Sequence, residues 1–178
     1  MAGAMLNEVV PVPAASAIVM RDAPLEVLLL RRSEKSSFVP NAWVFPGGAI
    51  ESGESAVDAA VRETLEECGI TLDPDTLVLT SRWITPTGIP KRFDTWFYLA
   101  QVPREATVTI DGREIVEAMW IAPAEALARK DLRLVFPTIK NLEAITPFDS
   151  TDAAIDSRRG AEIEPIQPVL VDGKPVLR

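Results

Sequence analysis

Apolar positions first cluster in two short runs. Ala15 to Arg21 (ASAIVMR) and Leu25 to Arg32 (LEVLLLRR) read as strands, separated by the turn signal Asp22-Ala23-Pro24. The second run is nearly continuous in apolar residues, as in a strand buried on both faces, and the two together predict a hairpin. Ser33 to Asn41 is a polar loop. Trp43-Val44-Phe45 predicts a short strand that ends at Pro46-Gly47-Gly48. Two glycines there permit positive φ and a close approach of the backbone to a ligand.

The pattern then changes period. Val57, Ala60, Val61, Thr64 and Cys68 fall at helical spacing and predict the core stripe of one amphipathic helix. Ser55-x-x-Asp58 opens it as a capping box, and Gly69 closes it. Glu63, Glu66 and Glu67 are expected on the opposite, outward side. Cys68 reads as a small buried side chain rather than a nucleophile.

Strands return at Leu77 to Ile84, Arg92 to Val102 and Ile115 to Ile121. In the second of these, Phe93, Thr95, Phe97 and Leu99 share one face, and Arg92, Asp94, Trp96 and Tyr98 the other. Thr85 to Lys91 is a loop and Asp111-Gly112 a turn. Pro123 and Pro137 each open a short helix, the second reaching Ile145. Beyond Thr146 the periodicity weakens, with a hairpin signal at Asp172-Gly173. The order predicts an α/β domain, helices on a mixed sheet, over residues 14–146, with a lead-in at 1–13 and a C-terminal extension at 147–178.

Composition narrows the chemistry. The 178 residues suffice for one domain with a proper core. With 26 acidic and 18 basic residues the net charge is −8, which argues against general nucleic-acid binding. One cysteine rules out an intrachain disulfide. The absence of histidine removes Ser-His and Cys-His machinery and every histidine metal site. No apolar run approaches the roughly 18–20 residues of a membrane span, and the N-terminus lacks the pattern of a signal peptide. The expectation is a cytoplasmic protein.

Candidate chemistry centres on Arg62-Glu63-Thr64-Leu65-Glu66-Glu67. Glutamates three and four apart repel on a bare helix by about 0.2–0.5 kcal/mol per pair, so a bound cation is one reason to keep them. A solvated outer face is the other. Clustered carboxylates without His or Cys suit a hard cation, Mg²⁺ or Mn²⁺ rather than Zn²⁺. Arg62 can hold the carboxylates without binding metal, and glycine at 48 frees a carbonyl to act as a ligand.

Gly48, five residues, Glu54, seven residues, then Arg62-Glu63-x-x-Glu66-Glu67-x-Gly69-Ile70 resembles the Nudix box, G-x5-E-x7-R-E-U-x-E-E-x-G-U, where U is a bulky aliphatic residue. All seven fixed residues match; Thr64 departs at the first U position. The resemblance implies an α/β/α sandwich with a mixed sheet and a catalytic loop-helix-loop. It also implies metal-dependent hydrolysis of a nucleoside diphosphate linked to another group. Its metal ligands would be Glu63, Glu66, Glu67 and the Gly48 carbonyl, with Glu66 and Arg62 in the catalytic set. The general base varies across the family; Glu114 and Glu117 are candidates, each equally readable as a surface carboxylate.

Upstream, Leu28-Leu29-Leu30-Arg31-Arg32-Ser33, then Phe45-Pro46-Gly47-Gly48, resembles the motif of Nudix coenzyme A diphosphatases. Leu30 replaces a Thr, Ser37 an Arg and Asn41 a Gly. The stretches RRSEKSSFVPNAWVFPGG and RWITPTGIPKRFDTWFYLA look like the peroxisomal branch and its bacterial relatives. Coenzyme A or acyl-coenzyme A is thus the leading substrate. Arg32, Arg82, Lys91 and Arg92 are candidate phosphate contacts, though each is also an ordinary surface cation. ADP-ribose or a nucleotide sugar is the alternative substrate, and a nucleotide-binding module without hydrolysis the alternative of another class. The partner expected is a small nucleotide, with no nucleic acid and no membrane; a homodimer is compatible with the sequence and not required by it.

Overall fold

The structure, a computed structural model, describes residues 8–178. Part of the expected lead-in, residues 1–7, lies outside the described residues. Strand β1 (Val12–Arg21) begins three residues before the expected Ala15 and turns at Asp22–Pro24 into β2 (Glu26–Arg32). They pair antiparallel, Met20 opposite Val27 and Arg21 opposite Glu26, which is the expected hairpin.

After β3 (Trp43–Val44) the chain forms a strand that the glycines concealed, β4 (Gly47–Ala49). Helix α1 (Ala56–Cys68) follows, then β5 (Val78–Ile84), β6 (Phe93–Gln101) and β7 (Ile115–Ile121). Helices α2 (Pro123–Ala128) and α3 (Phe136–Ile145) both carry proline in the first turn, where its missing N–H costs nothing. The tail adds α4 (Thr151–Asp156), β8 (Pro165–Ile166) and the hairpin β9 (Val169–Val171) and β10 (Lys174–Val176).

The main sheet is mixed, with β3, β2, β1, β6, β5 and β8 in spatial order. β1 runs parallel to β6 over its whole length, from Val12 opposite Phe93 to Met20 opposite Gln101. Its other edge is shared: Ala14, Ala15 and Ser16 pair with β4, and Met20 and Arg21 pair with β2. β2 continues into β7 on its far side. The sheet therefore splits at the middle of β1, and that split is where the Gly47-Gly48 backbone emerges beneath α1.

Alternation along the strands divides the core in two. Ala15, Ala17, Val19, Leu28 and Leu30 face α1 and meet Ala59, Ala60 and Cys68. Alanines on both sides let the helix approach closely. Ile18, Met20, Val27, Leu29, Phe97 and Leu99 face α2, α3 and α4 and meet Ala126, Leu142, Ile145, Ala154 and Ile155. The result is the α/β/α sandwich that the sequence predicts.

Candidate active site

The ends of α1 set its register. The Ser55 hydroxyl oxygen accepts the Asp58 N–H at 3.1 Å and donates to the Asp58 carboxylate at 2.7 Å. Gly69, at φ 71°, donates its N–H to the Leu65 carbonyl; a left-handed residue there satisfies an otherwise orphan carbonyl. Cys68 is buried, donates to the Thr64 carbonyl, and burial pushes its thiol up to about 11. It is structural, as expected.

Arg62 is the hub. Its Nε and Nη2 grip both oxygens of Glu54 at 2.8 and 3.0 Å. Nη1 donates to Glu63 at 2.8 Å and to Glu66 at 3.3 Å, and Nη2 reaches the Ala49 carbonyl at 3.1 Å. The planar fork thus ties α1 to the loop before it and to the end of β4. Hydrogen bonding to Arg62 holds the Glu54 carboxyl below its usual range. In the motif Glu54 has only a place; in the fold it is the acceptor of the bidentate pair.

One expectation about the helix is corrected. Glu67 does not point outward with Glu66: it is 4% exposed and shares the inner stripe with Ala60 and Thr64. The stripe tolerates it because the sheet is split at that point, and the Gly47 N–H donates to its carboxylate at 3.0 Å. Val57 and Val61, expected in the stripe, are only half-buried, and Ala59 takes an inner place. Neither Gly47 nor Gly48 adopts positive φ. Their freedom from a side chain serves close approach instead: a Cβ on Gly47 would lie 2.1 Å from the Ser16 hydroxyl, and one on Gly48 2.6 Å from the Glu63 carboxylate.

Burial, with neighbouring Glu63 and Glu114 adding repulsion, pushes the Glu67 carboxyl up to about 8 against the pull of the Gly47 N–H and of Arg32. Burial also raises Glu63, against the pull of Arg62. Glu66 is the accessible member, its side chain 58% exposed. Among the described residues no three such side chains converge as a closed metal cage; Glu63 is drawn to Arg62 and Glu67 to Gly47. The donor set nevertheless fits a hard divalent cation. It consists of carboxylate oxygens around a side-chain-free cradle at Gly48, and a cation would relieve the burial of two carboxylates.

The NUDIX domain family model matches residues 10–140. The chain belongs to the Nudix family. Among its relatives, an m7GpppN-mRNA hydrolase of Danio rerio is 31% identical over 119 residues, covering 59% of this chain and 40% of that protein. An acyl-coenzyme A diphosphatase of Xenopus laevis is 26% identical over a 204-residue alignment, covering 57% of this chain and 54% of that protein. The crystal structure of a Nudix hydrolase from Alicyclobacillus acidocaldarius superposes with a TM-score of 0.73 at 25% identity, covering 83% of this chain and 96% of that one. The chain spans about half the length, or less, of the first curated relatives it matches. Nudix hydrolases act on small nucleotide substrates and generally use divalent metal ions.

Around the Nudix helix the remaining candidates separate. Glu114 precedes β7, is exposed, and lies near enough to Glu63 and Glu67 to raise both. Glu117 is not brought to the site. It shares a strand face with Met119 and Ile121, which belong to the other half of the core, and Arg31 holds it at 2.9 Å. Arg82 is likewise removed, locked bidentate onto Asp94 and stacked over Trp96. Arg92 is a buried strut, 3% exposed, donating to the Thr85 and Val9 carbonyls and to Glu8.

Arg32 and Lys91 are different. Both line a cleft of about 410 Å³ that runs from Gly47 and Gly48 along the sheet to the tail. Arg32 rests on Ser36 and the Phe38 carbonyl, and Lys91 on the Ser37 hydroxyl at 3.3 Å; neither has an acidic partner among the described residues. The rest of the lining is largely apolar, including Phe38, Trp83, Phe93 and Phe136. The Trp83 indole N–H is the one buried side-chain polar atom without a partner among the described residues. The sequence missed Trp83 and the tail residues here, because only the folded sheet carries them to the glycines. No helix among the described residues is long and apolar enough to cross a membrane.

Proposed function

We propose that the chain is a metal-dependent diphosphatase that hydrolyses a nucleoside diphosphate linked to another group, with coenzyme A or an acyl-coenzyme A as the leading substrate. The observation that carries the reaction class is the arrangement around Arg62: one guanidinium positions Glu54, Glu63 and Glu66 beside the Gly48 cradle, with Glu67 buried behind it. Glu63, Glu66, Glu67 and the Gly48 carbonyl would hold Mg²⁺ or Mn²⁺. Such an ion neutralises phosphate charge and lowers the pKa of bound water. Arg62 acts through the glutamates as a positioning residue. Glu114, exposed beside the cluster, is the candidate to accept a proton from the attacking water.

Three observations support the substrate. Arg32 stands at the boundary between the glutamates and the cleft, where it can meet a phosphate oxygen. Lys91 contacts the hydroxyl of Ser37, the position where the coenzyme A motif has arginine, so this chain supplies a cation to that place from another loop. The cleft beyond is apolar, which suits an acyl or pantetheine arm better than a second sugar. The higher identity to the mRNA-cap hydrolase favours a second reading, a capped dinucleotide as substrate.

A product assay decides between them. Coenzyme A, decanoyl-coenzyme A, ADP-ribose, NADH, diadenosine polyphosphates and m7GpppG are each incubated with the protein and Mg²⁺ or Mn²⁺. Hydrolysis of the coenzyme A compounds to a nucleoside phosphate and a phosphopantetheine product is the expected result. Preference for ADP-ribose or m7GpppG with no cleavage of coenzyme A would overturn the substrate assignment. Binding without phosphate-ester products from any of them would favour a nucleotide-binding module.

A further inference from the structure

One wall of the cleft comes from outside the Nudix match, which ends at residue 140. Pro168, Leu170, Gly173 and Pro175 of the tail form it. Leu170 and Pro175 are cross-strand partners in the β9–β10 hairpin, and Pro168 lies two residues before Leu170, so the three share one face of the ribbon. Val169, Val171 and Val176 take the other face. The Leu170 side chain also reaches across to the loop between β5 and β6: its Cδ1 would lie 3.9 Å from a Cβ on Gly88.

The hairpin is anchored. Thr151 donates its N–H and hydroxyl to Asp22 at 2.8 and 2.7 Å. Arg158 donates to the Thr80 carbonyl at 2.7 Å and to the Thr80 hydroxyl at 3.1 Å. β8 then pairs parallel with β5, Pro165 opposite Arg82 and Ile166 opposite Trp83. Asp172 and Gly173, at φ 50° and 74°, close the hairpin with the two positive φ values of a turn matched to strand twist.

The chemistry of the wall is one-sided. Pro168 and Pro175 have no N–H, and Leu170 has no polar side-chain atom, so no side chain of this face offers a donor to a base edge or a sugar hydroxyl. The aromatic side chains opposite are already paired edge to face, Trp83 with Phe136 and Phe38 with Phe93, rather than arranged as two parallel plates around a base. The cations, Arg32 and Lys91, belong to other segments of the lining.

We propose that the β9–β10 hairpin is the specificity wall of this cleft and selects substrates whose diphosphate-linked group ends in an aliphatic acyl or alkyl chain. This rests on the diphosphatase reading for the placement of the phosphates at Gly47 and Gly48. It assigns to the tail a role in substrate choice, with Leu170 as the residue that touches the chain.

The test uses the full chain and three variants: Leu170→Asp, the milder Leu170→Ala, and Val171→Asp as the control on the opposite face of the ribbon. Calorimetric binding of decanoyl-coenzyme A and of unacylated coenzyme A is measured in EDTA, where no turnover occurs, and kcat and KM for both are measured with Mg²⁺. Leu170→Asp is expected to weaken decanoyl-coenzyme A binding and raise its KM at least about tenfold, the scale of losing apolar contact in a pocket. Leu170→Ala should give a smaller loss in the same direction. Unacylated coenzyme A should change by less than about twofold, and Val171→Asp should leave both ligands unaffected. Equal losses for the two ligands, the same loss from Val171→Asp, or wild-type binding with no preference for the acylated ligand would overturn the proposal. Acyl-selective binding that depends on Leu170, without turnover of any diphosphate, would sink the diphosphatase reading and leave the wall standing. Turnover without acyl selectivity would do the reverse.

Discussion

The backbone N–H of Gly47 donates to the buried carboxylate of Glu67 at 3.0 Å, joining β4 to the inner face of α1 across twenty residues of chain. This contact brings the glycine pair and the glutamate cluster into one site. It also places a carboxylate where burial opposes its ionisation.

That opposition has a sign. Glu67 is raised from 4.5 to about 8 by burial. Below about pH 4.5 the folded and unfolded chains both hold its proton and there is no penalty. As pH rises from about 4.5 to about 8 the unfolded chain releases the proton while the folded chain keeps it, so stability falls. Denaturant titrations in EDTA at pH 5 and pH 9 should show this loss in the wild type, on the order of several kcal/mol if the full shift is realised. Glu67→Gln, which keeps an acceptor for the Gly47 N–H, should reduce the loss and be more stable than the wild type at pH 9, while losing turnover. Mg²⁺ or Mn²⁺ should restore wild-type stability at pH 9 and release protons on binding.

The two glycines of β4 should fail differently. A Cβ at Gly47 meets the Ser16 hydroxyl and, at 2.5 Å, the Ala15 backbone carbonyl, which cannot retreat. Gly47→Ala should therefore lower stability by about 1–3 kcal/mol. A Cβ at Gly48 meets the end of the Glu63 side chain, which can swing aside. Gly48→Ala should keep its melting temperature within a few degrees and lose Mn²⁺ affinity, read by electron paramagnetic resonance titration.

Arg62 cannot be replaced by another cation if its fork is what matters. Lysine has no planar pair of donors for the two Glu54 oxygens. Arg62→Lys should lower kcat/KM by about 10–100-fold, the usual scale for groups that orient metal ligands. Activity close to wild type would show that charge alone suffices.

The four cations should divide into two pairs. Arg32→Ala and Lys91→Ala should raise KM several-fold with little change in melting temperature, since neither has an acidic partner among the described residues. Arg92→Met should instead cost about 1–3 kcal/mol of stability, because the carbonyls of Thr85 and Val9 lose the buried guanidinium that donates to them. Arg82→Ala should leave KM unchanged. Kinetics and thermal denaturation of the four variants, side by side, check the division.

Local signals carried much of this architecture. β7 spans Ile115–Ile121, the strand expected there, and Ser55 and Gly69 bound α1 through their own side-chain and backbone chemistry. The box residues were legible because one helix, Ala56–Cys68, carries four of the seven and Gly69 caps it. What escaped depends on partners distant in sequence. Glu67 reads as outward because an acidic side chain looks out of place in an apolar stripe; the split edge of β1 and the Gly47 N–H make room for it. β4 was hidden because glycines signal a turn, whereas here they permit close strand contact. Arg82 and Arg92 read as free cations until Asp94, Val9 and Glu8 are seen to hold them. The tail showed a hairpin signal but no destination, since β8 finds its place by pairing with β5 some eighty residues earlier.

The most direct measurement is the metal-dependent turnover of Glu66→Gln beside the wild type, on the best substrate of the panel. Glu66 is the accessible carboxylate, held among the described residues only by the long 3.3 Å bond from Arg62, so its loss should leave the fold and the melting temperature intact. The wild type should require Mg²⁺ or Mn²⁺, and the variant should be slower by at least about a hundredfold with a normal circular dichroism spectrum. Equal rates in the two proteins, or wild-type turnover that persists in EDTA, would contradict it.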